Sequence, residues 1–146
     1  MPFIGFNFEK LSAERYKEVK GDIKIKHNLN IVDVKDHKVS LDKKQEVLKF
    51  DFEFNLEYTP NIGKINIKGS MLYTDNAKKL KEIKQEWEKS KKLPNEIFSG
   101  LFNTILAKSN IKALELSQEI NLPPHLPLPR IDQQQKVNVN VNEYIG

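Results

Sequence analysis

Three imidazoles, His27, His37 and His125, are the side chains of this sequence that titrate near neutral pH. No two of them share a helix face, and none has a carboxylate at metal-ligand spacing, so no metal site is expected. His27 falls on the inward side of an alternating run, where a hydrogen-bonded core histidine is the expected role. His37 falls in a turn and His125 in a proline-rich ribbon. Asp51, Glu53 and Glu57 share one side of another alternating run. Two such carboxylates could imitate a glycosidase pair, but lysines on the flanking runs give them solvated partners instead. Cysteine is absent, which removes thiolate nucleophiles, disulfides and Cys-based zinc sites. The glycines are isolated rather than gathered into a phosphate-binding loop, and no Ser-His-Asp signature is visible. No catalytic residue, metal or cofactor is assigned, and the protein is read as not an enzyme.

Charge narrows the partners. The formal net charge is +4 with 30% charged residues, a modest excess on a surface of both signs. The densest basic stretch, Asp75–Leu93, carries seven lysines against four acids. Nucleic-acid binding through Lys78–Lys92 is one alternative, although it usually needs more concentrated basic charge. A small-ligand carrier or enzyme with a pocket lined by Phe50, Phe52 and Phe54 is another. No apolar run is long enough to span a bilayer, and the opening MPFIGFNFEK lacks the basic start and continuous apolar segment of a signal peptide. A soluble cytoplasmic protein without stable membrane insertion is expected.

These residues must be positioned by two kinds of element. The first half alternates with period two: Ile4, Phe6, Phe8; Ile23, Ile25, His27, Leu29, Ile31; Leu48 through Tyr58; Ile65, Ile67, Met71, Tyr73. Strict alternation marks strands with one buried and one wet face, and turn signals near 35–44 and at Thr59–Gly63 separate them. Four antiparallel strands are predicted. Lys24 and Lys26 on the second, Asp51, Glu53 and Glu57 on the third, and Lys64 and Lys68 on the fourth make an acidic strand between two basic ones, which supports the order two-three-four.

After Tyr73 the period lengthens. Ala77, Leu80, Ile83 and Trp87 predict a short amphipathic helix whose apolar face packs on the sheet. A long helix from Pro94 to about Glu119, with Asn95 as N-cap, carries the stripe Phe98, Phe102, Ile105, Ser109, Ala113, Leu116, Ile120. At about 39 Å it would overhang strands of about 20 Å. A second copy of the chain would then cover the overhang, with Phe102, Ile105 and Leu116 at the interface. The fold class is α+β: a four-stranded antiparallel sheet, a short helix, a long helix, a proline-rich loop and a polar tail. Residues 1–131 form one domain and 132–146 a flexible polar tail.

The loop NLPPHLPLPR, Asn121–Arg130, holds four prolines and three leucines. Proline stops the helix and stiffens the connection. In an extended ribbon, Leu122, Leu126 and Leu128 can present one apolar edge to a binding groove.

Leu93-Pro94-Asn95-Glu96-Ile97-Phe98, opening the long helix, and Ile120-Asn121-Leu122-Pro123-Pro124 running to Pro129-Arg130-Ile131, closing it, resemble the corresponding motifs of the SecB family of protein-export chaperones. The resemblance covers about residues 3–131. It implies a homotetramer, a dimer of dimers, whose long apolar grooves bind unfolded polypeptides without nucleotide. The sequence departs from the family at Ser99-Gly100-Leu101, where a proline, an aromatic and an Ala-Arg pair are usual. It also lacks the acidic tail that contacts the export ATPase. An ATP-independent holdase is the expected function, with unfolded polypeptides or preproteins as clients.

Overall fold

A computed structural model describes residues 3–37 and 46–127. Four strands, β1 (Phe3–Arg15), β2 (Lys24–His37), β3 (Val47–Thr59) and β4 (Gly63–Thr74), precede helices α1 (Ala77–Ser90) and α2 (Asn95–Glu119). All strand pairs are antiparallel in the order β1-β4-β3-β2, so β1 and β2 stand at the two edges. The α+β fold class and the two-three-four order agree with the sequence reading. The expected tail 132–146, and the part of the expected domain beyond Pro127, lie outside the described residues.

Alternation sets the two faces. Leu48, Phe50, Phe52, Phe54, Leu56 and Tyr58 of β3 and Ile65, Ile67, Met71 and Tyr73 of β4 point into the core. Lys26, Glu57 and Lys64 stand in register across three strands on the wet face. Lys68 meets Glu53 at 3.3 Å, and Lys35 and Lys49 meet Asp51 at 3.1 and 3.7 Å. Such exposed pairs contribute about 0.2–1 kcal/mol each, enough to favour this register but far less than the apolar face does.

The register shifts at three edge-strand positions, Phe3/Gly5 and Phe8/Lys10 on β1 and Ile31/Asp33 on β2. The register slips between Phe3 and Gly5, so Phe3 turns inward against Tyr73, with ring centroids 5.2 Å apart. Ile4, expected beside Phe6, faces out at 47% exposure. On β2 the slip between Ile31 and Asp33 leaves Val32 exposed and restores Val34 to the core. Gly69 permits a close approach in mid-sheet: a Cβ there would lie 2.3 Å from the Asn7 carbonyl oxygen and 2.7 Å from the Phe52 ring. The Phe52 ring uses that space and stacks on Phe6 at 5.4 Å.

The helices cover the apolar face. Asn76 caps α1, its Oδ1 accepting from the Lys79 amide at 2.8 Å, and Leu80, Ile83 and Trp87 are buried as expected. Helix α2 is capped at Pro94 rather than Asn95 and has no side-chain cap. Its buried residues are Ile97, Leu101, Ile105, Ser109, Ala113 and Ser117. Every fourth residue advances about 40° around a helix, so the contact face winds as α2 runs. Bulky residues fill its first half, and small ones admit close packing in its second.

Two expectations about α2 need correction. Ile105, expected at an interface between copies, is fully buried in the chain's own core. The overhang does not arise either. The alternating runs continue through their polar positions to give strands of 12–14 residues, about 40–46 Å at strand rise. A helix of 25 residues spans about 38 Å. What remains for a partner is exposed apolar surface: Ile111 and Phe98 on α2, and Ile4, Leu11 and Tyr16 along or just beyond the β1 edge.

Candidate functional site

The proline loop is pinned to the body of the protein by three groups. The Leu122 amide donates to the Ser117 carbonyl at 2.8 Å, closing the helix end. The Tyr58 hydroxyl donates to the Pro123 carbonyl at 2.8 Å. His125 is buried, and its Nε2 donates to Asn110 Oδ1 at 2.8 Å, which puts the proton of the neutral ring on Nε2. Its ring packs 5.4 Å from His27 and 6.3 Å from Phe54. Burial, and secondarily His27, pull the His125 pKa from the usual 6.5 down to about 4.

The expected apolar edge is therefore divided. Leu122 is 5% exposed and belongs to the core, because the turn at Asn121 (φ 58°) folds the chain back under Gly63. It is a packed connector, not a surface offered to a ligand. Leu126 is half-buried, and Leu128 lies outside the described residues. His27, expected on the buried side of its strand, is exposed on an edge strand, and the buried ring is His125 in the proline loop.

A second surface has the features of a binding site. It is a groove of about 400 Å³ between the middle of β2 and the α1–α2 junction. Leu29 and Ile31 supply one wall, Trp87 and Leu93 the base, and Phe98 and Phe102 the other wall. The two phenylalanine rings stack at 4.4 Å, and Phe98 is 41% exposed. The αL residue Lys91 (φ 58°) ends α1 and lays its ammonium 5.4 Å from the Trp87 ring centroid. The buried Trp87 indole N–H has no hydrogen-bond partner among the described residues. Leu29 and Ile31 follow His27 on the same face of β2, so groove and proline loop meet consecutive positions of one edge strand.

Sequence periodicity placed Phe98 and Phe102 on the α2 stripe but not at its open flank. Of the expected interface residues, Phe102 and Leu116 are half-buried. Phe50, Phe52 and Phe54, the supposed pocket lining, have at most 1% exposure and fill the core. Among the described residues, no helix is long and apolar enough to cross a membrane.

An antiparallel four-stranded sheet covered by a short and a long helix, closed by a pinned proline loop, is a SecB-like fold. It is similar to the solved structure of the Mycobacterium tuberculosis SecB-like chaperone Rv1957, in complex with a ChAD peptide from the Rv1956 HigA1 antitoxin. The TM-score is 0.51 at 10% sequence identity, over 91% of each chain. No protein-family model matches the sequence, and no curated protein does.

Proposed function

We propose that this chain is an ATP-independent holdase that keeps unfolded polypeptides from aggregating by taking their apolar segments into the β2–α2 groove. The observation that carries this reading is the aromatic pair Phe98–Phe102, left open on a groove with an apolar base. Unfolded chains offer the matching surface, and removing apolar area of both partners from water drives the association. Binding the unfolded state by mass action needs neither a nucleotide nor a catalytic group. The SecB-like neighbour, a chaperone holding a peptide, supports a polypeptide as the occupant.

The working form is a homo-oligomer, a tetramer, in the cytoplasm. Exposed Ile111 on α2, and Ile4 and Leu11 on the β1 edge, give the copies apolar surface to share. Phe102 and Leu116 are half-buried. Leu126 of the proline loop adds a further client contact. Clients are unfolded polypeptides, preproteins for export among them.

The test combines light scattering from a denatured model protein, diluted with and without this chain, with native mass measurement. Suppression near equimolar ratio, unaffected by ATP, and a particle of more than one 17.0 kDa chain are expected. A monomer that leaves aggregation unchanged would sink the reading.

A further inference from the structure

The groove is asymmetric in charge. Lys91 and Lys92 stand at its rim, and no carboxylate lines it. Glu82, Glu86 and Glu96 line the adjoining cleft, which Lys92 lines as well, and there Glu96 meets Lys79 at 3.4 Å. Neither Lys91 nor Lys92 has a salt-bridge partner among the described residues. Lys91 rests instead over the Trp87 ring.

The geometry points to a specific kind of client: an apolar peptide segment flanked by aspartate or glutamate, its side chains on the Phe98–Phe102 wall and its carboxylates at Lys91 and Lys92. This rests on the holdase reading and adds a selectivity to it. A basic flank would meet two ammonium groups with no counter-charge in the groove. An acidic flank supplies that counter-charge at an edge where the low-dielectric walls formed by Trp87, Leu93 and Phe98 strengthen it. A nucleic acid is the less suitable polyanion. Two lysines neutralise few phosphates, and the Phe98 and Phe102 faces already stack on each other rather than standing free for bases.

The test uses the full chain and three fluorescent peptides sharing one Leu/Phe core, flanked by Asp, Lys or Ser pairs. Two exposed charge pairs gained against two repulsions amount to about a tenfold difference in Kd between the Asp- and Lys-flanked peptides at low salt. In 0.5 M salt, where screening acts within about 4 Å, the difference should shrink to about twofold. A Lys91→Asn, Lys92→Gln double variant should bind the Asp- and Lys-flanked peptides with equal Kd. Asparagine tolerates the αL backbone at position 91. Equal binding of the three peptides by the wild type, or preference for the Lys flank, overturns the inference and leaves the holdase reading standing. Binding of none overturns both. Displacement of the Asp-flanked peptide by a random single-stranded oligonucleotide, at lower concentration than by unlabelled Ser-flanked peptide, reassigns the groove to nucleic acid.

Discussion

Protonation of His125 should undo the docking of the proline loop, and its effect on stability can be worked out from the structure. In the folded chain the neutral ring is wedged between His27, Phe54 and Asn110, and its pKa falls from 6.5 to about 4. In the unfolded chain it titrates near 6.5. Between these values the unfolded state binds the extra proton, so stability rises with pH through that window and is lost as pH falls from 6.5 toward 4. The full shift would correspond to about 3 kcal/mol. Water reaches part of this surface loop and screens the charge, so about 1–2 kcal/mol is the expected size.

Other groups also change charge as the pH falls, so the informative quantity is a difference between two proteins. Urea unfolding of the wild type and of His125→Gln should be compared at pH 7 and pH 4.5. At pH 7 the variant should be less stable, having lost the ring's packing. At pH 4.5 the gap should close by about 1–2 kcal/mol, because the wild type alone bears the cost of the buried imidazole. A gap that stays constant would show that His125 is not held neutral by burial and that the loop is not docked as described.

Other substitutions examine the scaffold. Phe52→Asp puts an unpaired charge where the chain is 1% exposed and should cost several kcal/mol. Glu53→Ala, on the wet face beside Lys68, should cost within about 1 kcal/mol; equal shifts in denaturant midpoint would reverse the strand phase. Gly69→Ala forces a Cβ onto the Asn7 carbonyl and should destabilise by about 1–3 kcal/mol in the same assay. Leu122→Ala should cost about 2–5 kcal/mol, whereas Leu126→Ser, at a half-buried position, should lower holding activity more than thermal midpoint.

Much of the scaffold was legible because one physical rule governs it. The period-two runs around Phe52 and Ile65 and the period-3.6 run around Trp87 each bury one face, and the Lys–Glu–Lys sequence of the wet faces supported the order of three strands. The fourth strand was placed by no such signal: β1 pairs with β4 across the sheet. Single-residue bulges at Ile4 and Val32 are equally invisible, because each inserts one residue without changing composition. On α2 the apolar surface is broad enough that residues 97, 101 and 105 and residues 98, 102 and 106 both read as a stripe. Only packing decides which is buried. The groove is what the losing stripe and the edge strand leave between them, so the sequence named its phenylalanines without revealing their role. His125 was missed for a related reason: proline punctuation signals a loop but not the Tyr58 hydroxyl and Asn110 amide that anchor it.

Trp87 is the only tryptophan of the chain and lines the groove, so its fluorescence reports directly on occupancy. A reductively unfolded, tryptophan-free polypeptide should be titrated into the wild type and into Phe98→Ser. A saturable change in Trp87 emission is expected, with a midpoint that matches suppression of that client's aggregation and with both weakened together in the variant. Suppression at full strength with Trp87 emission unchanged, or with Phe98→Ser indistinguishable from wild type, would contradict it.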